Sequence, residues 1–147
     1  MAKLLLSVHV LAAILAIGPV AVAASIFPRY AREPEPEPGA GAALLHRICR
    51  GYAVFGILVP VFGLATGAQL GVLTDAWLIA SIVLTAIAAA LLATAILPGQ
   101  ARVLAAPAGE VVPGAAARLA MLTGTFNLLW AIVVVLMIVR PGSTTGV

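Results

Sequence analysis

Four stretches of the chain are long, apolar and almost free of charge. They cover residues 4–27, 51–73, 76–97 and 119–139. The hydrocarbon core of a bilayer is about 30 Å thick and an α-helix rises about 1.5 Å per residue, so about 20 apolar residues cross it. Because backbone groups in lipid have no water to bond, each crossing segment must be a helix. The pattern predicts an all-α, antiparallel four-helix transmembrane bundle that forms one domain over residues 1–147.

The composition excludes a soluble domain. Hydrophobic residues make up 63% of the chain and charged residues 9%, whereas a soluble domain is about 25% charged. The net charge of +3 is spread between the apolar runs, and it forms no basic stripe of the kind that binds nucleic acid. The expected partner is therefore a lipid bilayer and not nucleic acid. We expect a multi-pass protein of a bacterial plasma membrane.

The basic residues predict the orientation of the bundle, because short loops rich in Lys and Arg stay on the cytoplasmic side. Six arginines lie in or beside the first and third loops: Arg29, Arg32, Arg47, Arg50, Arg102 and Arg118. The opposite side carries Lys3 and Arg140. Both termini are therefore expected outside.

The N-terminal segment has a second interpretation. Lys3, the apolar residues 4–17 and the sequence 21–23, Ala-Val-Ala, are also the pattern of a cleaved secretory signal peptide. Cleavage would leave the four arginines of the first loop outside, against the charge rule. An uncleaved first span is the preferred interpretation, and the alternative stays open.

The loops carry few candidate functional groups. Residues 33–39 alternate Glu and Pro, which predicts a stiff, solvated spacer. Residues 42–50 are expected to form a helical turn at the membrane interface. Arg47 and Arg50 would then reach lipid phosphate groups, or act only as snorkelling anchors. The third loop, residues 98–117, contains no phosphate-binding or nucleophile motif.

Small residues recur at helical spacing in three spans. Since lipid tails provide no hydrophobic drive for association, such residues let helices approach closely. The predicted packing residues are Gly56, Gly63, Gly67 and Gly71 in the second span, Ala86 and Ala90 in the third, and Ala120 and Gly124 in the fourth. Packing within the chain is the first interpretation, and a homo-oligomer or a larger membrane complex is the second.

His9 is the one ionisable side chain inside a predicted span, and such groups are functional candidates. Met137 is expected at a similar depth, so His9 and Met137 could together hold a haem, and His9 could hold copper. The alternative without a function is that His9 is a packing residue whose side chain is hydrogen-bonded within the bundle. No carboxylate lies within a span, which disfavours a small proton-coupled transporter. No catalytic residue and no cluster of metal ligands is apparent, and the single cysteine, Cys49, cannot form a disulfide within the chain.

Two resemblances follow from these residues. The segment 5–32, LLSVHVLAAILAIGPVAVAASIFPRYAR, with HRICRGY at 46–52 and the Pro60/Gly63/Gly67 helix, resembles an uncharacterised bacterial family of small four-span predicted integral membrane proteins. That family brings no assigned activity. His9 followed by Gly18 is more distantly similar to the HemJ-type protoporphyrinogen oxidases and the copper-resistance D membrane domains. This second resemblance implies haem or porphyrin chemistry at His9.

The sequence leaves three functions open. The first is an accessory or scaffold protein, or a subunit of a membrane complex, without an evident catalytic site. The alternative is a haem, porphyrin or copper-binding redox protein that uses His9. A small transporter is the third.

Overall fold

The chain is almost entirely helical. The structure, a computed structural model, describes residues 1–32, 40–107 and 110–142. It is 84% helix, and no strand occurs in the described ranges. The helices are α1 (Ala2–Tyr30), α2 (Ala40–Phe55), α3 (Leu58–Leu70), α4 (Ala76–Leu91), α5 (Leu97–Leu104) and α6 (Ala115–Val139). A π-helical segment, Leu92–Ile96, joins α4 to α5.

These helices make four segments that are long and apolar enough to cross a membrane. The segments are Ala2–Tyr30, Ala40–Leu70, Ala76–Leu104 and Ala115–Val139. The prediction of an all-α, four-helix membrane bundle is confirmed. Because the chain reverses direction at each connection, one end of the bundle carries both termini and the connection around residues 71–75. We call this the short-loop end, and we call the opposite end, where the six arginines lie, the arginine-rich end.

The first span is the central element of the bundle. Helix α1 packs against α2, α3 and α6, while α6 also packs against α4, and α5 contacts α2. The largest core cluster, near the middle, contains Val20, Ala23, Ala24, Cys49, Ala88, Leu92, Ile96 and Phe126. A second cluster, at the arginine-rich end, contains Phe27, Ala42 and Leu119. A third, at the short-loop end, contains Val72, Trp77 and Leu78.

The second span differs from its expected boundaries. It begins at Ala40 rather than at residue 51, and it is interrupted at Gly56 and Ile57. Pro60 has no N–H to donate to the Gly56 carbonyl four residues earlier. The Val59 N–H donates to that carbonyl instead, at 3.2 Å, which tightens the turn. The expected spacer at residues 33–39 lies outside the described residues.

The third span is longer than expected, and the prediction that the third loop begins at residue 98 is wrong. Helix α5 continues to Leu104, with Pro98 at its start. An interior proline lacks a donor, and its ring crowds the carbonyl of the preceding turn. The π-helical segment widens that turn, and the Leu97 N–H donates to the Leu92 carbonyl five residues earlier. The helix therefore passes the proline without ending.

The π-helical segment also decides which residues of the third span face the core. Ala88, Leu92, Ile96 and Gln100 are all buried, at intervals of four residues. In a regular α-helix, positions four apart drift around the axis by about 40° per step. The wider π turn offsets this drift. Gln100 is consequently brought to the same interior face as Ile96.

The placement of Cys49 in the core predicts its reactivity. Because Cys49 is 0% exposed, we expect a small maleimide to label it about tenfold or more slowly than an exposed thiol of the folded protein in detergent. The matched control is Gly51→Cys in a Cys49→Ala background, since Gly51 is exposed two residues away. Equal labelling rates at positions 49 and 51 would contradict the packing of α2 described above.

Candidate functional site

His9 forms a contact between the first and second spans. Its Nδ1 lies 2.8 Å from the Val59 carbonyl oxygen, and the side chain is half-buried. A carbonyl oxygen can only accept, so Nδ1 carries the proton and donates. The second ring nitrogen, Nε2, makes no part of this contact. The contact fixes both the tautomer and the orientation of the imidazole.

Two of the predicted packing glycines allow close approach inside the bundle. A Cβ atom added at Gly63 would lie 2.8 Å from His9 Cε1. One added at Gly67 would lie 3.0 Å from Leu78 Cδ2. Real Cβ atoms do not approach other heavy atoms to 2.8 Å, so the His9 ring occupies the space that a larger residue at position 63 would fill. Gly63 is therefore part of the His9 site.

The other small residues of the predicted set lie elsewhere. Gly56 is in the interruption between α2 and α3, and an added Cβ would meet the carbonyl oxygen of Ala53 at 3.1 Å. Gly71 ends α3 in the left-handed region with φ 69°, which glycine adopts at little cost. Its role in the structure is a helix C-cap. The remaining four residues are exposed: Ala86, Ala90, Ala120 and Gly124.

Met137 belongs to a different cluster from His9. It packs against Val72, Trp77 and Leu78 at the short-loop end. In the same region Trp77 Nε1 donates to Asp75 Oδ2 at 3.0 Å, and the Arg140 guanidinium lies 5.5 Å from the centre of the Trp77 ring. The use of Met137 as a haem ligand together with His9 stays a prediction. His9 alone can supply one axial ligand.

A buried polar chain that the sequence did not predict lies near the arginine-rich end. His46 Nδ1 is 3.0 Å from Gln100 Oε1, and Gln100 Nε2 donates to Cys49 Sγ at 3.6 Å. The Cys49 thiol points to the Val20 carbonyl oxygen at 4.0 Å. Gln100 and Cys49 are both 0% exposed, and His46 is half-buried. The chain connects α1, α2 and α5.

This polar chain escaped prediction for a physical reason. Gln100 falls two residues after Pro98, where the sequence predicted a loop, and only the π-helical segment carries it into the core. A signal was present in α2, because His46 and Cys49 are three residues apart and so share one face of a helix. Their common partner could not be read from that spacing.

Metal-ligating side chains are scattered in the bundle. No group of three or more His, Cys, Asp or Glu side chains with metal-binding geometry occurs in residues 1–32, 40–107 and 110–142. Arg47 and Arg50, the candidate headgroup ligands, are exposed on α2.

Comparison of the chain with protein-family models, with curated proteins and with solved structures gives no match.

The His9 contact can be tested through Gly63. We expect Gly63→Ala to lower the free energy of unfolding, measured by titration with a denaturing detergent, by about 1–2 kcal/mol, because the new methyl group displaces the His9 ring. Gly18→Ala is the control, since an added Cβ there meets nothing within 4 Å. In a His9→Ala background the cost of Gly63→Ala should vanish. A cost that persists without His9 would contradict the contact.

Proposed function

We propose that the protein is an accessory or scaffold protein of a bacterial plasma membrane that acts through association of its helices. Its partner is a second copy of the chain or another subunit of a membrane complex. The proposed orientation places both termini outside and the arginine-rich end in the cytoplasm. Exposure of all six arginines at that end supports it.

The observation that carries this proposal is the position of the small residues of the third and fourth spans. Ala86 and Ala90 on α4 are exposed, and so are Ala120 and Gly124 on α6. A Cβ atom added at Gly124 would meet nothing within 4 Å. Small residues at a lipid-facing position make few contacts with lipid tails, but they let a neighbouring helix approach closely. Gly63 and Gly67 differ, because their space is already filled within the chain.

The test is to enlarge the exposed small residues of α6. We expect Ala120→Ile/Gly124→Ile to reduce self-association or recovery of partner subunits about fivefold or more, because bulky side chains keep helix backbones apart. Association is measured in bilayers, by energy transfer between labelled copies and by recovery of partners from native membranes.

The matched control for this test is Gly51→Ile. Gly51 is exposed, an added Cβ there meets nothing within 4 Å, and it lies outside the faces of α4 and α6. This variant should associate like the unaltered protein. If Ala120→Ile/Gly124→Ile leaves both self-association and partner recovery unchanged, the proposal fails.

A haem, porphyrin or copper-binding protein is the second candidate function, and one contact favours it. Histidines that bind a metal through one ring nitrogen usually donate the other N–H to a carbonyl or carboxylate. His9 donates Nδ1–H to the Val59 carbonyl in this way, which leaves Nε2 to face a ligand. The distant resemblance at His9 and Gly18 agrees with this use.

The absorption spectrum of the protein purified from its native membrane tests this second function. A haem ligated by His9 predicts a Soret band that is lost in His9→Ala, and copper predicts about one metal ion per chain that is lost in the same variant. Met137→Leu tests in the same way whether Met137 supplies the second axial ligand of the haem iron. A colourless, copper-free protein would eliminate this candidate and leave the first one untouched.

A further inference from the structure

One turn of α2 presents three basic side chains to the surface. His46, Arg47 and Arg50 are spaced so that Arg50 neighbours both of the others on the helix. Arg47 and Arg50 are exposed, and neither forms an ion pair with a carboxylate of the described residues. Unpaired guanidinium groups are strong donors for phosphate oxygens. This turn therefore has the donors of an anion site, and no carboxylate of residues 1–32, 40–107 and 110–142 pairs with its arginines.

The length of the second span places this turn at the headgroup level of a bilayer. The span has 31 residues, which extend about 46 Å as a helix and exceed the hydrocarbon core by about 16 Å. The α3 end is confined by the short connection that follows Leu70, and α4 begins already at Ala76. The excess therefore falls at the other end, in residues 40–50, which contain the basic turn.

A hydrogen bond from the bundle interior orients the histidine of this turn. Gln100 Oε1 accepts from His46 Nδ1 at 3.0 Å, and the Gln100 amide is itself oriented by its donation to Cys49 Sγ. Because Gln100 and Cys49 are completely buried, these bonds are shielded from water. The two ring nitrogens lie on opposite sides of an imidazole, so Nε2 faces away from Gln100.

Exposed apolar side chains continue from the basic turn toward the membrane interior. Val54 lies four residues after Arg50 and seven after Arg47, on the same face of α2, and it is 67% exposed. A phosphate at the basic turn would thus be continuous with an apolar surface that suits an acyl chain. Inorganic phosphate has no apolar part that could contact that surface.

From these observations we propose that His46, Arg47 and Arg50 bind the phosphate of one anionic phospholipid headgroup. The two guanidinium groups donate to phosphate oxygens, and His46 donates through Nε2 when it is protonated. Val54 contacts an acyl chain of the same lipid. Gln100 is a positioning residue, because it touches His46 and not the lipid, and Cys49 in turn orients Gln100. The site is independent of the helix association and of the His9 chemistry considered above.

The experiment compares lipids bound to the full chain. The protein is reconstituted in nanodiscs of phosphatidylcholine with a small fraction of phosphatidylglycerol, and retained lipid is counted by native mass spectrometry after release. We expect one retained phosphatidylglycerol per chain. Arg47→Gln/Arg50→Gln should lower its retention about tenfold or more, since both guanidinium groups lose their charge-assisted hydrogen bonds to the phosphate oxygens.

The matched control removes the same charge from the same end of the bundle. Arg102→Gln/Arg118→Gln substitutes two other exposed arginines, on α5 and α6, and because these contribute only a screened, longer-range attraction, retention should change less than about twofold. An equal loss in both double variants would show a diffuse electrostatic effect and overturn the site. Inorganic phosphate at millimolar concentration should not displace the lipid. Complete displacement by inorganic phosphate would also overturn the proposal.

Positioning by Gln100 is tested with a double-mutant cycle. Gln100→Met removes both hydrogen bonds at similar volume and should lower retention of phosphatidylglycerol, while His46→Gln removes the imidazole. In the His46→Gln background, Gln100→Met should have no further effect on retention. The ¹⁵N shifts of His46 should report the loss of the fixed Nδ1–H tautomer in Gln100→Met. A purely structural Gln100 predicts equal losses in both backgrounds, which would remove this part of the proposal.

Discussion

Everything in this bundle depends on the lack of water around its polar groups. A donor or acceptor that faces lipid or the bundle core must find a partner within the protein. Most hydroxyl groups solve this locally, because they donate to the carbonyl four residues earlier in their own helix. Six side chains do so: Ser7, Ser25, Thr66, Ser81, Thr94 and Thr125. Apart from Ser25, these side chains form no hydrogen bond to another helix of the described residues and therefore do not determine how the helices assemble. The contacts between helices rest on a much smaller set of polar groups.

Helix α1 takes part in most of the side-chain hydrogen bonds between spans in the described residues. His9 donates to Val59 in the second span, and Val20 lies at the end of the chain that begins at His46. Ser25 accepts a hydrogen bond from Asn127 Nδ2 at 3.1 Å. Since the Ser25 hydroxyl already donates to Ala21, the amide nitrogen of Asn127 must face it. Removal of residues 1–23, as a signal peptidase would cause, would take His9 and Val20 out of the bundle.

The apolar runs were sufficient to predict that the chain has four membrane spans and that each span is helical, because the lengths of the runs must match the bilayer. The ends of the second and third spans were not predictable in this way, since residues 40–50 and 97–104 carry charges and a proline and yet remain helical. Gln100 was hidden for a related reason: its burial follows from the π-helical segment, and the usual helical period does not place it beside Ile96. His9 was recognisable as a polar group at depth, but its partner is a backbone carbonyl, which every residue offers. The sequence could not distinguish glycines that face the bundle core from glycines that face lipid. Lipid tails are as apolar as a leucine of the core, so the residues around both kinds of glycine are similar.

The two ends of the bundle satisfy their charges differently. At the short-loop end Trp77 lies between Asp75 and Arg140, so its indole donates to a carboxylate and its ring face meets a guanidinium. Arg140 adopts φ 45° there, which costs a non-glycine residue about 1–2 kcal/mol, and its Nε bond to the Met137 carbonyl helps to hold it. Asp75 and Arg140 thus each have a partner within the chain, through the N–H and the ring face of the same indole. At the arginine-rich end the exposed arginines have no such partners among the described residues. Because exposed basic groups at a membrane surface attract anionic groups, the arginine-rich end attracts anionic lipid headgroups more strongly than the short-loop end does.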